Sequence, residues 1–159
     1  MDRRKRLRLR GFDYGTPGVY FVTVCTRGRR CVLGRVHGAA VLLSATGRIV
    51  ARALAGIDVF HPGVGLDVSV VMPNHVHAIV LLDRALGAPS LPVVVGAFKA
   101  RASRRAGEPL WQRGFHDRIV RDEQELDALR EYVLWNPLRW ELDGENPERR
   151  SRSAGSRAG

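Results

Sequence analysis

The sequence is poor in cysteine and in long apolar runs, and each shortage excludes something. The two cysteines, Cys25 and Cys31, are separated by five residues. That is not a zinc-ribbon spacing, and two thiols cannot build a disulfide framework. Cys25 falls in an apolar segment and reads as a small buried residue, so a reducing cytoplasm is the plain inference. No apolar stretch approaches the roughly 20 residues of a membrane span. The opening "MDRRKRLRLR" has the charge of a signal peptide but no apolar segment after it. No segment pairs a basic helical face with Trp and Leu, which argues against an anionic membrane surface. No internal repeat is present.

What the chain has in excess is positive charge. Its 159 residues carry 26 Lys+Arg against 16 Asp+Glu, a net charge of +10. Such a field favours a polyanion, and nucleic acid is the commonest one in a cell. The plainer alternative is an arginine-rich coding bias with solvated side chains. A hydrophobic content of 45% suits one globular domain with a real core. The ends read differently: residues 1–10 form a basic arm, and residues 147–159, "PERRSRSAGSRAG", an Arg/Ser/Gly tail expected to be disordered.

Between the ends, strand and helix patterns alternate. "VYFVTVCT" (19–26) is β-branched and aromatic, hence a strand. "RRCVLGRVHGAAVLL" suggests a hairpin or irregular excursion. Residues 44–60 open on Ser44 as N-cap and keep helical spacing through Ile49, Val50, Ala53, Leu54 and Ile57. "LDVSVVM" (66–72) and "HVHAIVLL" (75–82) are strands with only Pro73 and Asn74 between them, a tight antiparallel hairpin. In residues 90–105 three successive valines favour a strand, yet Ser90 and Pro92 look like a helix start and Leu91, Val94, Phe98 and Arg101 fall on one helical face, so the segment is read as a helix. "FHDRIV" (115–120) is a short strand. The helix over 122–137 has Asp122 and Glu125 in capping-box relation, an apolar stripe of Leu126, Leu129 and Val133, and Pro137 as its stop. The order β-α-β-β-α-β-α predicts an α+β protein: a ferredoxin-like split βαβ, an antiparallel sheet with helices on one face, and one added C-terminal helix.

Two constellations carry chemistry. His75 and His77 project from the same face of one strand, so their imidazoles can chelate one divalent ion. The alternative is a pair of polar interruptions on a half-polar strand. A closed zinc site is disfavoured because apolar residues, not further acidic or histidine ligands, come next in "HVHAIVLLD". An incomplete, open site suits the polarisation of a phosphate. Tyr132 and Asn136 are four apart and share a helix face. They read either as a boundary aromatic and a helix-end amide, or as nucleophile and oxygen-donor ligand. Proline at position 137 biases Asn136 away from α geometry. A phenol needs a cation or base nearby to attack phosphate at neutral pH.

Taken together, "FDYGTPGVYFVTVCT", "VVMPNHVHAIVLL", "GAFKARASRR", "LWQRGFHDRIVR" and "REYVLWNPLRW" resemble the REP-associated tyrosine transposases, within the wider group of single-tyrosine HUH transposases. The resemblance runs from about Arg8 to Pro147, and residues 11–146 would be the HUH transposase domain. It implies a ferredoxin-like fold, His75 and His77 as the HUH pair, Tyr132 as nucleophile and Asn136 as the ligand that completes a Mg2+ or Mn2+ site. It also implies cleavage of single-stranded DNA near hairpins, through a covalent 5′-phosphotyrosine intermediate.

DNA is expected on the basic side. Lys99, Arg101, Arg104 and Arg105 offer phosphate contacts, Trp111 and Phe115 can stack unpaired bases, and Arg113 and Arg118 flank the active strand. His116 is a spare ligand or acid–base group. Arg3, Arg4, Lys5 and Arg10 would form an arm reaching a hairpin stem. The alternative readings are solvated arginines and core or rim aromatics. Single-stranded or hairpin DNA is thus the expected partner, with no membrane, in a cytoplasmic, nucleoid-associated bacterial protein acting as monomer or homodimer. The rival functions are a domesticated, non-catalytic DNA- or RNA-binding module and a small metal hydrolase of diffusible phosphoesters.

Overall fold

Residues 18–142 are described by the structure, a computed structural model. The expected basic arm, residues 1–10, and the tail, 147–159, lie outside them. Strand β1 (Val19–Cys25) is followed by a 310 turn at Arg27–Arg29 and a small separate hairpin, β2 (Gly34–His37) and β3 (Ala40–Leu43). Then come α1 (Ala45–Ala55), the short α2 (Ile57–Phe60), β4 (Val64–Val71), β5 (His75–Leu82), α3 (Leu91–Ala106), β6 (His116–Ile119) and α4 (Glu123–Trp135).

Local chemistry sets these limits. The Ser44 hydroxyl accepts from the Gly47 amide to open α1. Helix 44–60, expected as one piece, breaks at Gly56 into α1 and α2. At the start of α4 the Asp122 carboxylate accepts from the Glu125 amide, and the Glu125 carboxylate accepts from the Arg121 amide. This is a reciprocal cap, displaced by one residue from the ideal box.

The main sheet has the order β4-β5-β1-β6, and all its pairs are antiparallel. With the small hairpin set aside, the elements follow the β-α-β-β-α-β order read from the sequence. The two helices of the split βαβ share one face, as expected, and the added helix takes the other. α1 and α3 pack together on one face, over Val22, Val24, Val76, Ala78 and Val80. α4 packs on the other face, where Leu126 and Val133 meet Val19, Val68, Ile79 and Leu81. Helices therefore cover both faces.

A register shift between Leu66 and Ser69 puts an extra residue in β4 opposite β5. Such a bulge turns two successive side chains to the same side. Val68 joins the α4 core, and the buried Asp67 accepts from Arg130 Nε of α4 at 2.9 Å. The tyrosine-bearing helix is thus fastened to the sheet by a buried ion pair two residues before Tyr132. The expected two-residue hairpin joins β4 to β5, with the Met72 amide donating to the His75 carbonyl at 2.8 Å.

Candidate active site

Strand alternation and cross-strand register build the site. His75, His77, Ile79 and Leu81 project from β5 toward the α4 face, while Val76, Ala78, Val80 and Leu82 enter the opposite core. His77 pairs across the sheet with Thr23, and Thr23 with His116. One row thus carries an imidazole, a hydroxyl and a second imidazole on three neighbouring strands. The next rung holds Ile79, Phe21 and Arg118.

The two β5 imidazoles converge. Their Nε2 atoms are 3.1 Å apart, and each Nδ1 has its own partner: Asn74 Oδ1 at 2.8 Å for His75, Thr23 Oγ1 at 2.9 Å for His77. An amide oxygen only accepts, so His75 carries its proton on Nδ1 and turns a lone pair toward His77. Asn74 is itself buried and held in place. Its carbonyl accepts from the Thr26 amide and hydroxyl, and its Nδ2 donates to the Arg29 carbonyl at 3.3 Å. Burial, and then the neighbouring His75, lower the His77 pKa from 6.5 to about 3, so that imidazole is neutral at physiological pH.

α4 brings the phenol over this pair. The Tyr132 ring lies 5.4 Å from the His77 ring and 6.0 Å from Phe21, edge-on to both, while Phe21 stacks on His77 at 5.2 Å. Tyr132 is 38% exposed, in contrast to His75 at 2% and His77 at 6%. It reaches the imidazoles of its own chain. A cavity of about 460 Å3 lies over the contact, lined by Phe21, Thr23, His77, His116, Asp117, Arg118, Leu129 and Tyr132.

Asn136 keeps α geometry despite the proline after it (φ −57°, ψ −43°), and so stays on the Tyr132 side of the helix end. It is bracketed along the chain by Tyr132, over His77, and by Trp140, whose ring is 6.2 Å from His75. Its side chain is buried, and its Oδ1 has no hydrogen-bond partner. Leaving such an acceptor unpaired costs about 1–3 kcal/mol.

These features fit a divalent cation. Two nitrogens bound to one ion at about 2.1 Å stand roughly 3.0–3.4 Å apart when they subtend 90–110° at it. The observed separation is 3.1 Å. A cation would take the place of the proton now shared by the two Nε2 atoms and would give the orphaned amide oxygen a partner. Among the described residues no group of three His, Cys, Asp or Glu side chains is placed to hold a metal. A third protein donor has to be of another type.

The basic and aromatic candidates disperse. Arg118 and His116 line the cavity; Arg118 Nη2 is paired with Glu125 at 2.6 Å. Arg113 is exposed on the loop before β6. Lys99 does not point outward for phosphate. Its ammonium donates to the carbonyls of Gln112 and Gly114, both at 2.9 Å, and burial lowers its pKa. Trp111 is not a base-stacking surface: it is buried in the α1/α3 core, 5.6 Å from the Phe98 ring, and Phe115 packs on the same core. Arg101 lies 4.1 Å over the Phe60 ring, on the layer opposite the histidines; Arg104 and Arg105 are exposed at the end of the same helix. Arg3, Arg4, Lys5 and Arg10 lie outside the described residues. Sequence reasoning missed Thr23, Asn74, Phe21 and Trp140. Asn74 had a signal, a buried-type amide directly before the first histidine, but it was absorbed into the turn.

No family model matches the chain. A Haemophilus influenzae protein (strain ATCC 51907 / DSM 11121 / KW20 / Rd), described as uncharacterized, is 30% identical over 167 residues, covering 90% of this chain and 93% of that protein. The two belong to one family. Among solved structures, a REP-associated tyrosine transposase bound to a REP hairpin superposes with a TM-score of 0.63 at 22% identity, over 83% of this chain and 72% of that one. A candidate transposase of Deinococcus radiodurans R1 superposes at 0.52 and 21% identity, over 79% and 94%. The chain has the fold of a REP-associated tyrosine transposase. The likeness read from the motifs is therefore present in the transposase fold as well, although at these identities the superpositions speak to fold alone. Among the described residues no helix is long and apolar enough to cross a membrane.

Proposed function

We propose that this protein is a metal-dependent single-stranded DNA endonuclease and strand transferase, a transposase of the HUH tyrosine type. One observation carries the reading. A partly exposed phenol sits 5.4 Å from an imidazole that is paired, Nε2 to Nε2 at 3.1 Å, with a second imidazole. All three belong to a chain with net charge +10 and with the fold of a protein that binds a REP hairpin.

His75, His77 and Asn136 would hold the ion. When bound, it would supply Lewis-acid polarisation of a non-bridging oxygen of the scissile phosphate. Every other part of the chemistry falls to the chain itself. A flexible, unpaired strand would enter the cavity beside the buried imidazoles. Tyr132 Oη forms a bond to phosphorus as the P–O3′ bond breaks, leaving a 5′-phosphotyrosine and a 3′-oxygen that takes up a proton. His116, which lines the same cavity, would exchange that proton or the phenol's. Attack by a second 3′-hydroxyl reverses the step, so the phosphodiester energy is conserved and no nucleotide is consumed.

The experiment is to incubate wild-type protein and Tyr132→Phe with hairpin-bearing single-stranded oligonucleotides and Mn2+ or Mg2+, then resolve the products under denaturing conditions. Wild type should give a protein–DNA adduct and a free 3′-hydroxyl product; Tyr132→Phe should give neither. Adduct from the variant would displace Tyr132 as nucleophile. Tight binding with no cleavage by wild type would favour the non-catalytic module.

A further inference from the structure

Positive charge on this chain is unevenly opposed. No Asp or Glu lies between Asp13 and Asp58, and the segment holds Arg27, Arg29, Arg30, Arg35, Arg48 and Arg52. Some cations elsewhere are engaged: Arg118 with Glu125, Arg130 with Asp67 and Asp127, Lys99 with two carbonyls. The densest part of the unopposed run is "TRGRR" (26–30), the turn that leaves β1 after Cys25, whose register partner is His75.

This turn is rigidly held. Thr26 is fully buried. Its hydroxyl, with one proton to give, lies within hydrogen-bond distance of the carbonyls of Asn74 (3.0 Å) and Arg30 (2.8 Å), and its amide donates to the same Asn74 carbonyl. The Asn74 side chain bonds the Arg29 carbonyl at one end and the His75 ring at the other. Arg29 has φ 53°, the left-handed region, where a non-glycine residue costs about 1–2 kcal/mol. Backbone strain of this kind persists only where the surroundings over-determine it, and it concentrates at functional sites. Arg27 and Arg30 are exposed, and among the described residues neither pairs with a carboxylate. A floppy surface arginine contributes charge alone. Two arginines on a turn whose backbone is tied through Asn74 to His75 carry their charge from a fixed point of attachment next to the first histidine.

We propose that the Thr26–Arg30 turn is a phosphate clamp, in which Arg27 and Arg30 grip the backbone of the DNA strand whose neighbouring phosphate is presented to Tyr132. The inference rests on the proposed strand cleavage for its choice of ligand. Its test does not need cleavage, because binding can be read in a Tyr132→Phe background.

In that background, affinity for a hairpin with single-stranded flanks is measured by fluorescence anisotropy from 50 to 300 mM salt. Each lost phosphate contact on a single strand lowers the slope of log K against log salt by about 0.7. Arg27→Gln/Arg30→Gln should therefore flatten the slope by about 1.4 and weaken binding equally for unrelated flank sequences. Arg84→Gln, exposed just past the opposite end of β5, should leave it unchanged. Thermal melting confirms that both variants fold. An unchanged slope in the double variant, an equal loss per residue in Arg84→Gln, or no DNA binding at all overturns the clamp. Tighter binding of RNA of the same sequence overturns DNA as its ligand. A flattened slope in a protein whose wild type makes no adduct would keep the clamp and sink the proposed cleavage; an adduct with an unchanged slope would do the reverse.

Discussion

The ring of Tyr132 stands edge-on to the ring of His77, 5.4 Å between centroids and inclined by 63°, within a single chain. The two residues are 55 positions apart in sequence, on the last helix and on a strand at the centre of the sheet. What joins them is the packing of α4 on the face of β5 that carries the odd-numbered side chains.

Metal binding should appear as stabilisation. A ligand that binds only the folded state at 100 times its Kd adds about 2.7 kcal/mol. Mn2+ should raise the melting temperature of the wild type, and His75→Ala and His77→Ala should abolish that rise. Asn136→Ala should reduce it without removing it. Two imidazole donors favour Mn2+ over Mg2+, so Mn2+ should act at the lower concentration. Equal shifts in the wild type and His77→Ala would place the ion elsewhere.

The Thr23 hydroxyl fixes the His77 ring through Nδ1 at 2.9 Å. It can donate or accept, so it can serve His77 whichever nitrogen carries the proton. Partners of this kind change metal affinity about 10- to 100-fold. Thr23→Val, similar in shape, should weaken Mn2+ binding by that order in calorimetry while leaving the melting temperature without metal within a few degrees. A Kd unchanged from wild type would reduce the hydroxyl to a packing role.

Acid should weaken the fold through His77. Unfolded, this imidazole takes up a proton near pH 6.5; folded, burial and His75 delay uptake to about pH 3. Between those values the unfolded chain binds more protons, so stability falls as pH falls, by at most about 1.4 kcal/mol per pH unit for this group. Urea unfolding at pH 7, 6, 5 and 4 should show a shallower decline for His77→Gln than for wild type. Parallel curves would show that His77 ionises normally in the folded state.

The buried Arg130–Asp67 pair should matter more for placing α4 than for net stability. Removing one partner of a buried pair costs about 3–5 kcal/mol, whereas replacing both by apolar residues can be nearly neutral. Asp67→Asn should lower stability by that order. Asp67→Leu/Arg130→Met should recover much of the stability but not the rate of adduct formation, if the pair sets the distance from Tyr132 to His77. Full recovery of both would leave the pair no positioning role.

Much of this was legible in the chain. "PNHVH" placed two imidazoles on one face because a strand has period two, and "EYVLWN" placed Tyr132 and Asn136 one turn apart because a helix has period 3.6. These are local periodicities, and sequence states them directly. Trp111 and Lys99 were misleading for a complementary reason. Aromatic and basic residues near an active strand look alike whether they face solvent or core, and only the packing of α3 against the loop after it turned Trp111 inward and drew the Lys99 ammonium onto two carbonyls.

Composition, strand and helix periods, and the two histidine and tyrosine motifs were determined by sequence alone, since each depends on residues a few positions apart. The meeting of Tyr132 with His77, the Asn74 and Thr23 bonds that aim the imidazoles, and the bonds that tie the Thr26–Arg30 turn to Asn74 were decided only by the tertiary structure. Register between strands and docking of a helix on a sheet face are set by the sum of many distant apolar contacts, and no short stretch of sequence contains that sum.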